Sequence, residues 1–183
     1  DMRSGTFAEL VPVKVASLAH KPKGLTMEEA ASLPLVALTA WQALVDIAHL
    51  RKGQKVFIQA GSGGVGTFAI QLAKHLGAKV GTTTSTGNVE LVSGLGADEV
   101  VDYKKQEFET VLRDYDAVLG TARGDAIEKA IGILKAGATY VPLDPLFPPD
   151  RIRFMMEDAA LHGLLTQSSL VDDLQGKPEL TLC

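Results

Sequence analysis

Apolar and polar positions follow two rhythms along this chain. From Lys55 onward, short β-branched and apolar runs recur: "KVFIQA", "AKVGTTT", "DEVVDY", "YDAVLGT", "ATYVPL", "HGLLTQ" and "ELTLC". Between them, helical spacing of apolar residues falls near 64–76, 88–95, 106–112, 124–135, 149–160 and 168–174. Strands alternating with helices of this length predict right-handed βαβ units on a parallel sheet. The expected fold class is α/β, a doubly wound parallel sheet in three αβα layers. Before Lys55 the pattern is irregular. A strand is expected near Thr6–Val11, followed by extended chain broken by Pro12 and Pro22. Thr26 stands three residues before Glu29, a capping box at a helix start. Pro34 is expected to separate that short helix from a longer one, "VALTAWQALVDIAHL", with Leu38, Trp41, Leu44, Val45 and Ala48 on one face and Gly53 at its end. The organisation is therefore a linking segment over 1–54 and one folding unit over 55–183.

The glycines between the first strand and the next helix add chemistry. Gly61, Gly63 and Gly66 form G-x-G-x-x-G after a strand, and Val65, Phe68, Ala69, Leu72 and Leu76 give the following helix its apolar face. In a Rossmann-type domain the first glycine permits the tight turn. The second lets backbone approach a pyrophosphate, and the third lets helix and strand touch. Free N–H groups at the helix start then bind the negative charge. The alternative is a glycine-rich turn used only for packing. An NAD site wants an acid about 20 residues further on, but "GTTTSTGN" has none before Glu90. Its hydroxyls suit the 2′-phosphate of NADP, with Lys104 and Lys105 adding positive charge. The alternative there is that Thr82–Thr86 is simply a polar strand end.

Composition narrows the partners. The 183 residues are 46% hydrophobic and 22% charged, with net charge −4 and pI near 5.6. That balance makes no electrostatic case for nucleic acid or an anionic membrane. No apolar run approaches the roughly 18 residues of a spanning helix. The chain begins at Asp1, as if cut from something longer, and a cytoplasmic origin is the default expectation. Cys183 is the single cysteine, which excludes an internal disulfide and a multi-cysteine zinc site. His20, His49, His75 and His162 are scattered, so no metal site is expected.

Five stretches in order bring a family into view: "GTFAELV", "LTMEEAASLPLVALTAWQAL", "AGSGGVGTFAIQLAKHLGAKV", "LGADEVVDY" and "DYDAVLGTARGDAIEKAIGILK". Together, over about residues 4–135, they resemble the zinc-independent quinone oxidoreductases of the medium-chain dehydrogenase/reductase superfamily. The resemblance implies a pyrophosphate held by Ser62, Gly63, Gly64 and Val65. It also implies an adenosine phosphate met by Ser85, an aromatic at Tyr103 after the third strand, and Thr39 near the nicotinamide. Residues 1–54 then correspond to the remnant of a catalytic-domain connection and its linking helices. Some positions depart from the family. Gly87 stands where relatives often place Arg or Lys, and Gly120–Arg123, "GTAR", replaces D-x-V-G. The chain also starts where the family's catalytic domain is nearly finished, a domain on the order of half of such an enzyme.

From about residue 134 to 175 the sequence "LKAGATYVPLDPLFPPDRIRFMMEDAALHGLLTQ" and its continuation resemble another family, the adenylation domains of nonribosomal peptide synthetases. The seam falls near Leu134–Val141, dividing the 55–183 unit into an oxidoreductase-like half (55–135) and an adenylation-like half (136–183). A recombinant or engineered chimera is the expectation. That family's working motifs lie downstream, so Asp144, Arg151 and Glu157 are read as turn and surface residues and no amino-acid activation is expected. Met155 and Met156 are read as core, and His162, Ser168 and Asp172 form no triad, since no nucleophile elbow occurs. Asp114 and Asp116 are expected to be solvated edge charges, and Lys135 to meet the carbonyls at a helix end. The expected function is weak NADP(H) binding with little or no hydride transfer. The alternatives are a chimeric scaffold with an empty site and an NADPH-dependent quinone reductase. The expected partner is a small-molecule dinucleotide, with no nucleic acid and no membrane. A surface exposed by the missing domain favours a homo-oligomer.

Overall fold

A computed structural model of the chain describes residues 9–121, 125–142, 163–165 and 180–182. The chain divides into two units, Asp1–Pro34 and Leu35–Cys183. In the first, residues 9–11 form no strand: Pro12 follows, and no strand among the described residues pairs with them; Thr6 to Ala8 lie outside the described residues. The capping box forms as expected. Thr26 N–H donates to Glu29 Oε2 at 2.8 Å, and Glu29 N–H donates to Thr26 Oγ1 at 3.2 Å. Helix α1 (Met27–Trp41) then runs through Pro34 instead of stopping there. Proline's fixed φ is helical, and the lost hydrogen bond is the single one to the Ala30 carbonyl, so the helix continues with that bond missing. The division between the units falls at this residue.

In the second unit the helix widens over Gln42–Ile47 into a π-type turn, with Ala48 N–H reaching the Ala43 carbonyl at 2.9 Å. Met27–Ile47 spans 21 residues and contains an 18-residue stretch of mean hydropathy 1.5, enough by length and composition to cross a membrane. That corrects the reading of uninterrupted apolar runs, which Thr39, Gln42 and Asp46 break up in sequence but not in average hydropathy. Ala40, Ala43 and Leu44 are buried in the core of the second unit, so this face of the helix has a packing role.

Strands β1 (Lys55–Ile58), β2 (Lys79–Thr84), β3 (Glu99–Asp102), β4 (Tyr115–Gly120) and β5 (Leu134–Pro142) form one parallel sheet in the order β3-β2-β1-β4-β5. Helices α2 (Gly64–His75), α3 (Val89–Gly94) and α4 (Ala126–Ile131) lie between the strands in sequence. Pleating sends Val56 and Ile58 to one face, where Ala69, Ile70 and Ala73 of α2 and Val92 of α3 complete the core. Phe57 and Val118 point to the other face, against Ala130 of α4 and Ile133. The doubly wound, three-layer Rossmann-type arrangement follows from this division of helices. The connection expected as a helix over 106–112 is only a 3₁₀ turn, Phe108–Thr110, with Phe108 and Leu112 buried against the sheet. Strand β5 begins at Leu134, so α4 is shorter than expected. The strand also contains the seam residues, with Ala117 opposite Thr139 and Val118 opposite Tyr140. Short strands β6 (Gly163–Leu165) and β7 (Leu180–Leu182) pair in a separate two-stranded sheet. The helices expected over 149–160 and 168–174 lie outside the described residues, as do Asp144, Arg151, Met155, Met156, Glu157, His162, Ser168, Asp172 and most of the adenylation-like stretch.

Charged groups tie the strand starts together. Asp116 accepts from Lys55 N–H and from Lys135 Nζ, each at 2.7 Å, so neither Asp116 nor Lys135 behaves as expected. The reason is register: Lys135 lies on β5, which pairs with β4, rather than at a helix end. Asp114 sits exposed in a turn at φ 61°. Asp98 accepts from Val80 N–H at 2.7 Å and Lys74 Nζ at 2.8 Å. Burial works against the anions of Asp98 and Asp116, but these donors outweigh it and hold both carboxyls below the usual carboxylate range. The unfolded carboxyls therefore take up protons first as the pH falls, and stability present near neutrality is lost below about pH 4. Urea titrations at pH 7, 4 and 3 should show the midpoint falling across the last step, and a flat profile would contradict these pairings.

On the other face, Tyr140 covers Gly120, where an added Cβ would stand 2.1 Å from the Tyr140 hydroxyl oxygen. That hydroxyl is buried and finds no partner among the described residues, and burial pushes its pKa up to about 12. An unpaired buried hydroxyl carries its desolvation penalty uncompensated. Tyr140→Phe should therefore raise stability by about 1 kcal/mol, read as a higher urea midpoint at unchanged slope.

Candidate functional site

The loop leaving β1 is held by β2. Ala60 N–H donates to Thr83 Oγ1 at 3.1 Å, and Gly61 N–H to the Thr83 carbonyl at 2.9 Å. Thr82 Oγ1 donates to the Ile58 carbonyl at 2.6 Å, and Thr84 Oγ1 to Ser62 Oγ at 3.0 Å. All three threonines are buried. They pin the glycine turn instead of facing a ribose phosphate, which corrects the reading of this strand end as an open hydroxyl surface. Only from Ser85 onward does the segment reach the surface.

The turn itself differs from expectation. Its left-handed residue is Ala60, at φ 55°, and not Gly61. Gly61 is required by crowding, since a Cβ there would stand 2.2 Å from Thr82 Oγ1. A Cβ on Gly66 would lie 2.4 Å from the Ala60 carbonyl oxygen and 2.8 Å from Gly61 Cα, so this glycine lets helix and turn meet. Gly63 is exposed and caps α2 at φ −76° and ψ 169°, with no side chain closing the helix start. The first-turn N–H groups of Gly64, Val65 and Gly66 thus lack intrahelical partners. They form an anion cradle whose dipole favours negative charge.

Ser85 follows β2 and is brought to this cradle by Asn88. The Asn88 amide nitrogen donates to Ser62 Oγ at 3.3 Å and to Ser85 Oγ at 3.2 Å. Thr86 Oγ1 donates to Asp102 Oδ2 at 2.7 Å, and Lys104 N–H to Asp102 Oδ1 at 3.0 Å. Lys105 Nζ lies 3.5 Å from the same carboxylate. The Thr86 hydroxyl, followed by the Lys104 amide and Lys105, holds the Asp102 carboxyl below its usual range. The acid beside this pocket is therefore engaged on both oxygens. Tyr103 N–H bonds the Thr84 carbonyl at 3.1 Å, placing a 57% exposed ring at the same corner.

Ser62, Gly63, Gly64, Val65, Ser85 and Tyr103 therefore gather at the carboxyl ends of β1, β2 and β3. Thr39 stands apart on α1, its hydroxyl bonded back to the Leu35 carbonyl at 2.7 Å. Val36, one turn earlier, has its Cγ1 3.2 Å from a Cβ built on Gly64, which brings this helix beside the cradle. Sequence reasoning missed Asn88, the threonine pins and Asp102. For Asp102 a signal existed, an acid closing the run "EVVD" at the sheet's carboxyl edge. The residues fit a dinucleotide phosphate: backbone donors are free, Gly63 adds no side chain, and the Asp102 carboxylate is paired. They do not fit zinc, since among the described residues no three His, Cys, Asp or Glu side chains converge.

Comparison with known proteins agrees with this geometry. The sequence profile of the family described as zinc-binding dehydrogenase matches residues 64–173, continuing through the seam at Leu134–Val141. That match gives no support to a change of family at the seam. The chain is 42% identical over 173 residues to the mouse protein called NAD(P)H oxidoreductase RTN4IP1, mitochondrial, covering 90% of this chain and 44% of that protein. It is 40% identical over 154 residues to the tomato (Solanum lycopersicum) 2-methylene-furan-3-one reductase, covering 83% of this chain and 39% of that enzyme. Among solved structures, the quinone oxidoreductase from Coxiella burnetii superposes with a TM-score of 0.73 at 35% identity, over 81% of this chain and 47% of that one. The chain thus spans less than half the length of these relatives. With a profile match over more than half its residues and a shared sheet, it belongs to the zinc-binding dehydrogenase family.

Proposed function

We propose that this chain is the NADP(H)-binding domain of a quinone-oxidoreductase-like enzyme. The observation that carries the reading is the corner where the α2 cradle meets Ser85. Free N–H groups and serine hydroxyls converge there, and the neighbouring acid Asp102 is occupied on both oxygens by Thr86, Lys104 and Lys105. Such a corner accepts an extra phosphate instead of repelling it. Ser62, Gly63, Gly64 and Val65 take the pyrophosphate, Ser85 and Tyr103 the adenosine end, and Thr39 lies toward the nicotinamide. When bound, the cofactor supplies a hydride. The chain's own contribution is to bind and orient it, with little or no hydride transfer by the chain alone. A second reading, NADPH-dependent quinone reduction, is favoured by the likeness to the Coxiella burnetii protein.

Calorimetric titration with NADPH and NADH tests the proposal. NADPH should bind with a dissociation constant on the order of 10 to 1,000 μM, about −4 to −7 kcal/mol, and NADH more weakly. NADH binding as tight as NADPH would overturn the assignment of the second-strand corner. Quinone-dependent NADPH oxidation by the isolated chain would move the balance to the second reading.

A further inference from the structure

Asn88 is the joint between the two halves of the candidate site. Its amide nitrogen carries two hydrogens, and one goes to each serine: Ser62 Oγ at 3.3 Å on the glycine turn and Ser85 Oγ at 3.2 Å after β2. Ser62 Oγ also accepts from the buried Thr84 hydroxyl at 3.0 Å. A hydroxyl has two lone pairs and one proton. With both lone pairs of Ser62 filled, its proton is left to donate elsewhere. Ser85 likewise accepts from Asn88 and keeps its proton. The direction of these bonds therefore leaves Ser62 able only to donate and leaves Ser85 with its proton free, the polarity that phosphate oxygens require.

The geometry points to Asn88 as a positioning residue that presents the Ser62 and Ser85 protons to the phosphates of a bound dinucleotide, and so contributes to preference for the phosphorylated ribose. This rests on the NADP(H) reading above. Asn88 is held by its own backbone as well, its N–H bonding the Ser85 carbonyl at 2.9 Å, so the amide sits on a closed turn. Beside this turn, Asp102 is already paired with Thr86 and Lys105.

Two variants and one cycle test it. Asn88→Asp keeps the shape but can only accept, so both serine protons turn inward. NADPH and adenosine 2′,5′-bisphosphate should each bind at least about 10-fold more weakly, with NADH losing about 3-fold or less. Asn88→Ala removes the donors without adding charge, and should lower NADPH affinity about 5-fold. In a Ser85→Ala background the same change should weaken binding further only through Ser62, so the two losses should not multiply. Melting temperatures within a few degrees of the parent establish that the variants are folded, and Asn88→Asp serves alone should the alanine variant fail that check. An unchanged NADPH-to-NADH ratio in Asn88→Asp, or fully multiplicative losses in the cycle, would overturn the role of Asn88 while leaving NADP(H) binding intact. A parent chain that binds none of the three ligands would overturn the functional reading itself and this inference with it.

Discussion

Gly66→Ala should destabilise the fold by about 3 kcal/mol, the upper end of what an overpacked core contact costs. The added Cβ would stand 2.4 Å from the Ala60 carbonyl oxygen and within 3 Å of Gly61 Cα, and both are backbone atoms with no rotamer to escape into. Ala60 is already in the left-handed region at φ 55°. Its neighbours Thr82, Thr83 and Thr84 hold the turn from the β2 side, so the loop cannot back away without breaking those bonds. Urea unfolding should show the loss directly in the midpoint. A variant as stable as the parent would mean that the α2 start yields where the geometry says it cannot.

The second large effect is on binding. Gly63→Val should remove measurable NADPH affinity, at least a 30-fold loss and about 2 kcal/mol or more, while stability falls by roughly 1 kcal/mol or less. Gly63 is exposed at the helix cap, its φ of −76° is open to any residue, and an added Cβ meets only the Ala60 carbonyl oxygen at 3.2 Å. The branched side chain would instead fill the space in front of the free N–H groups. The pair of substitutions separates ligand from packing within three residues of one loop. Unchanged NADPH binding in Gly63→Val would leave the glycines with a purely structural role.

The strands were legible because a parallel sheet buries both faces, which leaves β-branched runs such as "KVFI" and "EVVD" that stand out without any neighbour. The glycine turn was legible for a similar reason, since its spacing reports a local close approach. What the sequence hid depends on register. Thr82, Thr83 and Thr84 read alike in a row, yet pairing β2 with β1 sends the Thr82 hydroxyl to the end of β1 and the other two to different atoms of the turn. Asn88 looked like one more polar residue before a helix, and its role appears only when Ser62 and Ser85 arrive from different strands. Asp116 and Lys135 are 19 residues apart and meet only because β4 pairs with β5. Pro34 misled in the opposite direction: a rule about one lost hydrogen bond was read as the end of a helix. The strain at Ala60 had no sequence signal, because alanine is not a residue that announces a left-handed turn.

The strand order also fixes a schedule for synthesis. Central strand β1 pairs on one side with β2, which follows it closely, but on the other with β4, where Lys55 and Asp116 are 61 residues apart. On a ribosome adding roughly 5–20 residues per second, one edge of the central strand would wait about 3–12 seconds for its partner. An apolar edge left open that long is a template for pairing with another chain. Yield of folded protein should thus respond more to translation speed between β1 and β4, and to holdase chaperones present at that stage, than to the stability of the finished domain.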